Sequence, residues 1–262
     1  MANFPPIIFD DIAADVIARA KSQALEYALI SKPFTFNRMQ KPMSECVVNI
    51  AKGKFVEYLF VSLCRERGLL VDTDSCETPF WQRDHRDFLL MDREWDIKSI
   101  FLHSTPPNNA FNDCPALIPN RFRSDQWGTR DYRYVPSVSK MPAYVFVFLS
   151  HIELRIELDV NQVTFIQGLC HDHKEQVVDQ EPFKREWFIE RFPRFVDLEL
   201  EIDSKPIIAV TGIASSNQWQ LFNDQPKGPI FVGKHKVYHT AINNKSCRSG
   251  DLPSFGELVG WV

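Results

Sequence analysis

The sequence predicts a mixed α/β fold, with helices packed on a central sheet. Three features predict it. Apolar residues recur at helical spacing in 11–30 and 44–67, two short alternating runs fill 87–102, and Ala143–Leu149 is unbroken apolar chain. The first helix is expected over Asp11 to Ile30, with Ile12, Val16, Ala20 and Leu25 on one stripe and Pro33 closing it. The second is expected from about Ser44 to Arg67, where Val47, Val48, Ala51, Phe55, Leu59, Phe60 and Leu63 keep an apolar face and Gly68 supplies a stop. Strands Asp87–Met91 and Glu94–Leu102 read as a hairpin about Asp92-Arg93. That pair matches the favoured primed turns poorly, so a four-residue loop is equally open. From 103 to 142 six prolines make the chain irregular, and its arginines and aromatics argue against disorder.

Ala143–Leu149 suits a buried central strand. Leu154, Ile156 and Leu158 alternate with charges as a half-exposed strand does. Further strands are expected at Val163–Ile166, Leu198–Ile202 and Ile207–Ile213, and helical turns at Glu186–Phe192. The last fifty residues read as turn-rich and mildly basic. The expected organisation is one domain over 1–262, with a core at about 44–215, an insertion loop at 103–142 and a C-terminal extension at 216–262.

Composition excludes several classes. The chain has 262 residues, 44% of them hydrophobic and 24% charged, and its 21 Phe, 6 Trp and 6 Tyr carry too much apolar area for disorder. No apolar run approaches the roughly 18 residues of a membrane helix. The start, Met1 to Pro6, lacks the charged and apolar regions of a signal peptide, so a cytoplasmic protein with no membrane contact is expected. Six scattered cysteines without a C-x-x-C pair give neither a disulfide framework nor a zinc site a start. GxGxxG and GxxxxGK[ST] are missing, so no nucleotide cofactor is expected; GxSxG and HExxH are missing too. The net charge of -4 is uneven: 143–203 carries 13 acidic and 6 basic groups, while 204–262 carries 3 and 6. A uniformly basic nucleic-acid binder is excluded, a locally basic face is not.

The chemistry-bearing stretch is Gly53 to Ser99. Gly53-Lys54-Phe55-Val56-Glu57 places a carboxylate beside the apolar face of the second helix. Asp87 opens one hairpin strand, and Asp96-Ile97-Lys98 lies inside the other. With the turn centred between 92 and 93, Asp87 faces Lys98 and Leu89 faces Asp96, so side-chain alternation puts Asp87, Asp96 and Lys98 on one side of the sheet. A three-residue loop would break that parity. Two carboxylates can hold a divalent cation, and Mg²⁺ suits one or two carboxylates plus a substrate phosphate. The ion would polarise a phosphodiester and activate water, with Lys98 orienting that water or offsetting developing charge. Beside two carboxylates, Lys98 should have a raised pKa, which favours a charged role over that of a base.

The tripeptide [DE]xK alone carries no weight, because Asp172-His173-Lys174 and Asp203-Ser204-Lys205 also fit it. The first of these two sits in an expected polar loop, the second in a turn before Pro206. Only Asp96-Ile97-Lys98 lies in an apolar strand, with an aspartate heading the partner strand and a helical acid upstream.

In that combination the chain resembles the PD-(D/E)XK nuclease superfamily, most of all its type II restriction endonucleases. The resemblance covers about 50 of the 262 residues. It departs at Arg86, where the motif has proline, and at Asp96, where glutamate is commoner. It implies a restriction-endonuclease-like core, a central mixed sheet flanked by helices, and Mg²⁺-dependent hydrolysis of double-stranded DNA, with Mn²⁺ as a substitute ion. Carried over, Asp87 is the first aspartate, Asp96 and Lys98 belong to the tripeptide, and Glu57 is the helical acid. Asp87, Asp96 and the Ile97 carbonyl would hold the metal, and Glu57 a second ion or a water on it.

The basic and aromatic run Arg121, Phe122, Arg123, Trp127, Arg130, Tyr132, Arg133, Tyr134 reads as a DNA-contacting loop, as a surface loop pinned by its aromatics, or as a dimer contact. In the tail, Lys234 and Lys236, with His235, Lys245 and Arg248, form a dilute basic patch. Lys52 and Lys54, near Glu57, read as phosphate contacts or, more plainly, as a solvated helix face. Asp84 competes with Asp87, and Glu66 with Glu57. Cys170, His171, Asp172 and His173 could hold a transition metal, although a polar turn is the plainer reading. Trp187, Trp219 and Trp261 read as packing residues. A homodimer would explain symmetric cutting of a palindrome. The alternatives are a structure-specific repair or recombination nuclease, and a non-catalytic nucleic-acid- or protein-binding module on a nuclease-like core.

Overall fold

The computed structural model describes residues 4–32, 42–76, 86–119, 143–150, 152–175, 199–202 and 205–261, with side chains of 168–175 left aside. It is a mixed α/β structure built on a five-stranded sheet. After the short strand β1 (Ile7–Phe9) come α1 (Ala14–Ser31) and α2 (Met43–Glu66). Gly68, at φ +82, ends α2: the Leu69 N–H reaches back to the Cys64 carbonyl at 3.0 Å, satisfying a terminal acceptor. The hairpin follows as β2 (Phe88–Leu90) and β3 (Arg93–Leu102), then β4 (Pro115–Pro119) and β5 (Ala143–Ser150). Strand β8 (Ile207–Ala214) completes the sheet, whose order is β1-β8-β5-β3-β2. Only β3 and β5 run parallel, and β5 is buried along its whole length.

The two faces of β5 explain the layers. Val145, Val147 and Leu149 point to one side, where Ala24 and Leu25 of α1 and Phe55, Leu59 and Phe60 of α2 close the core. Tyr144, Phe146 and Phe148 point to the other side, onto Ala116 and Ile118 of β4 and onto Phe222, Ile230 and Val237. Helices therefore cover one face, and short strands cover the second.

Those short strands correct the expectation of a turn-rich extension. They are β9 (Asn223–Gln225), β10 (Gly228–Val232), β11 (His235–Thr240) and β12 (Asn244–Arg248). Strand β12 sits between β4 and β9, so β4 turns part of the expected loop 103–142 into sheet. A last helix, α4 (Phe255–Val259), inserts Phe255 into the helix-side core. Gly212 makes this docking fit, since a Cβ there would lie 2.6 Å from Leu252 Cβ and 2.8 Å from the Ser249 carbonyl. Trp219 and Trp261 are packing residues, as expected; Trp187 and Glu186–Phe192 lie outside the described residues.

Val163–Ile166 is not a strand. It belongs to α3 (Val160–Glu175), which follows the two-residue strand β6 (Leu154–Arg155), itself paired with β7 (Glu201–Ile202). Asp159 and Gln162 form a reciprocal cap at its start: the Gln162 N–H donates to Asp159 Oδ1 at 2.8 Å, and the Asp159 N–H to Gln162 Oε1 at 2.9 Å. Cys170 to Glu175 is consequently helical rather than a polar loop. Among the described cysteines, burial pushes the thiols of Cys64, Cys114 and Cys247 up to about 12. These three are inert packing groups, not nucleophiles. Among the described residues no helix is long and apolar enough to cross a membrane.

Candidate active site

The hairpin turn is Met91-Asp92, one residue earlier than the sequence suggests. Both residues take positive φ, 53° and 55°, the backbone of a primed two-residue turn that matches strand twist. The register is Phe88↔Trp95, Leu89↔Glu94 and Leu90↔Arg93. Leu89 thus faces Glu94 rather than Asp96, and Asp87 lies against Trp95, whose carbonyl accepts its N–H, rather than against Lys98. The slip is two positions across the pair, so side-chain parity holds for Phe88–Leu90, while Asp87 falls outside the regular ladder.

Strand β2 stops at Phe88 while β3 runs on to Leu102, which leaves the outer edge of β3 uncovered by β2 beyond Trp95. Asp87 occupies the start of that edge. Its N–H donates to the Trp95 carbonyl at 2.7 Å, and its carboxylate Oδ2 accepts the Ile97 N–H at 2.6 Å. A carboxylate thus stands in for the next rung of the ladder. In a strand the N–H and C=O of one residue point the same way, so the Ile97 carbonyl faces this edge as well.

Asp96 and Lys98 project from the sheet face away from the helices, the face of Ile100 and Tyr144. Lys98 Nζ meets Asp96 Oδ2 at 2.8 Å and lies 4.6 Å above the Tyr144 ring; each of the two side chains is 20% exposed. Burial pulls the Lys98 pKa down, but Asp96, Tyr144 and Asp87 together with the Asp96 hydrogen bond overrule it, and the pKa lies above the ordinary 10.5. Lys98 is thereby held charged, unfit as a base and fit to stabilise negative charge. Because the folded pKa exceeds the unfolded one, the stability that Lys98 contributes is complete below about pH 10.5 and is lost only as pH rises through the higher folded value. Nitrogen NMR of labelled lysines should show one ammonium titrating later than the rest, and its assignment to Lys98 is checked by loss of that signal in Lys98→Ala.

From the helix side, α2 brings Lys54 and Glu57 one turn apart. Lys54 Nζ contacts both Glu57 oxygens, at 2.6 and 2.8 Å, and lies 3.9 Å from Asp87 Oδ1. Lys54 is therefore not on a solvated helix face: it is 13% exposed and seated 4.6 Å over the Tyr27 ring of α1. Lys52 lies 5.7 Å over the Phe101 ring. Structure thus brings Glu57 to Asp87 through a lysine. Tyr144 is a neighbour that the sequence reading did not select, and Lys54 one that it placed on the helix surface. The three-residue spacing to Glu57 was the available signal for Lys54; Tyr144 had none beyond its place in a buried strand.

Other candidates fall elsewhere. Arg86, at the motif's proline position, is ion-paired with Glu94 across the hairpin. Glu66 is exposed at the end of α2, and Asp84 lies outside the described residues, as do Arg121, Arg123, Arg130 and Arg133. Lys234, His235 and Lys236 are exposed at the tip of the β10–β11 hairpin. Lys245 pairs with Asp224 at 2.8 Å and Arg248 with Asp113 at 2.6 Å, so that part of the basic tail is already engaged. Of the third tripeptide, Lys205 pairs with Asp11, while Asp203 and Ser204 are outside the described residues. The side chains of Cys170 to His173 are also outside them.

Oxygen donors suited to a hard cation come from Asp87, Asp96 and the Ile97 carbonyl. Among the described residues no three of His, Cys, Asp and Glu converge into a ready-made cage. Such a donor set suits Mg²⁺, which keeps waters and takes substrate phosphate oxygens beside one or two carboxylates, better than an ion that needs a full protein shell. Comparison with known proteins finds no matching family model, no matching curated protein and no matching solved structure.

Proposed function

We propose that this protein is a Mg²⁺-dependent endonuclease of double-stranded DNA, built on a restriction-endonuclease-like core and cutting at a specific sequence. The observation that carries the reading is the Asp87–Ile97 bond. It draws an aspartate from one strand against the edge of the Asp96-Ile97-Lys98 strand, where Lys98 is held charged beside Asp96. One hairpin thus contributes two carboxylates, a carbonyl and an ammonium, groups that can bind a divalent ion and offset negative charge in phosphodiester hydrolysis.

Asp87, Asp96 and the Ile97 carbonyl would hold the ion, whose chemistry is Lewis-acid polarisation of the phosphodiester. Lys98 directs its remaining N–H groups at the attacking water or at the oxygens on which negative charge grows. The water oxygen bonds to phosphorus and its proton passes to solvent, one P–O ester bond breaks, and the departing alkoxide takes up a proton from solvent. The β10–β11 hairpin offers Lys234 and Lys236 to phosphates, and Phe231 beside them is 55% exposed. A second copy of the chain would supply the second cut of a palindromic site.

Incubation of the purified chain with plasmid DNA in Mg²⁺ or in EDTA tests the reading. Discrete fragments formed only with Mg²⁺ are expected. Smearing, or selective cutting of branched DNA, would move it to a repair or recombination nuclease. Intact DNA with every substrate, from folded protein, would sink the catalytic reading and leave a binding module.

A further inference from the structure

Lys54 is the group that the proposed reaction does not use, and it is better placed than a surface lysine needs to be. Its ammonium spans both oxygens of Glu57 at 2.6 and 2.8 Å and sits 3.9 Å from Asp87 Oδ1. All three side chains are 13–14% exposed, so charge there has been withdrawn from water and must be compensated locally. The Tyr27 ring, 4.6 Å away, backs the ammonium from α1. An ammonium between two carboxylates occupies the kind of place in which a second divalent cation would otherwise be held.

We propose that Lys54 is a built-in cation standing in for a second metal ion between Glu57 and Asp87, so that each chain takes up one divalent ion. This rests on the metal-dependent reading above. Glu57 then acts as a positioning residue through Lys54 and is not a metal ligand. A second divalent ion would have to enter against the Lys54 ammonium at close range, where like charges in a partly dehydrated site repel strongly.

Mn²⁺ counts the ions without reference to cleavage. Electron paramagnetic resonance of the full-length wild type titrated with Mn²⁺ should give one bound ion per chain, with the spectrum of a magnetically isolated ion. Glu57→Gln should keep that count and change the affinity by less than about threefold, since 0.65 kcal/mol corresponds to that ratio. Lys54→Met should admit a second ion, lost again when Glu57→Gln is added. Two ions in the wild type, one of them lost in Glu57→Gln, would overturn the proposal while leaving the nuclease reading intact. A single ion in a folded Lys54→Met would overturn it too, because the lysine would not then be what excludes the second. If Lys54→Met fails to fold, the wild-type count and Glu57→Gln decide alone. Folded wild type that binds no Mn²⁺ would remove the metal-dependent reading itself, and this inference with it.

Discussion

Lys98→Ala is expected to slow DNA cleavage about 10²–10³-fold while leaving Mn²⁺ bound at least as tightly as in the wild type. The rate loss is the size that follows removal of a preorganised donor aimed at developing negative charge. Lys98 is such a donor: Asp96 at 2.8 Å and the Tyr144 ring at 4.6 Å fix its ammonium, and its raised pKa keeps it charged at working pH. The retained affinity follows from charge, since removing a cation beside Asp96 removes a competitor of the metal. Asp96→Asn should behave differently, losing Mn²⁺ affinity and rate together. Single-turnover cleavage beside Mn²⁺ titration separates the two. Lys98→Ala that cleaves within a few-fold of wild type per folded chain would take Lys98 out of the mechanism.

Legibility in the sequence followed the range of the interactions. Helices α1 and α2 and strand β5 were readable because their stripes are long and punctuated, by Pro33, by Gly68 and by prolines ahead of Ala143. The hairpin was readable, its turn less so: nothing in Met91-Asp92 announces two positive φ values, which favour glycine or asparagine. Parity survived for Phe88–Leu90 because the slip was even, whereas Asp87 turns its N–H to Trp95 and its carboxylate to the Ile97 N–H at the strand edge. Val163–Ile166 shows the limit of a four-residue apolar run, which periodicity alone assigns to neither strand nor helix. The Asp159-x-x-Gln162 cap is the signal that decides for helix. The pairing of strand β12 with β4, more than a hundred residues away, is a tertiary event that no local pattern announces. The same holds in the site. Asp87, Asp96 and Lys98 belong to one hairpin and could be counted together, whereas Lys54 reaches Asp87 only once α2 packs on the sheet. Gly53, which drew notice as part of the Gly-x-x-x-Glu spacing, holds no close approach: a Cβ there would meet nothing within 4 Å.

Trp95→Ala is expected to cost about 3–5 kcal/mol of stability, the usual range for truncating a large buried aromatic. Trp95 is 1% exposed, and it joins three elements. Its ring stacks on Phe88 of β2 at 6.3 Å with planes 9° apart, and meets Phe255 of α4 edge-on at 6.3 Å. Its indole N–H donates to the Leu90 carbonyl at 3.1 Å, a hydrogen bond that alanine removes. Trp95→Phe keeps most of the ring contact and loses the hydrogen bond, so it should fall between wild type and Trp95→Ala in denaturant titration. The residue is next to Asp96 in sequence but on the opposite face of β3, and this makes it a control for the chemistry. Lys98→Ala should lose rate with its unfolding transition largely retained; Trp95→Ala should lose its unfolding transition first, and cleavage only as the Phe88–Trp95 pair ceases to hold Asp87 against Ile97. A loss of less than about 1 kcal/mol in Trp95→Ala would mean that this aromatic cluster is not what secures the hairpin.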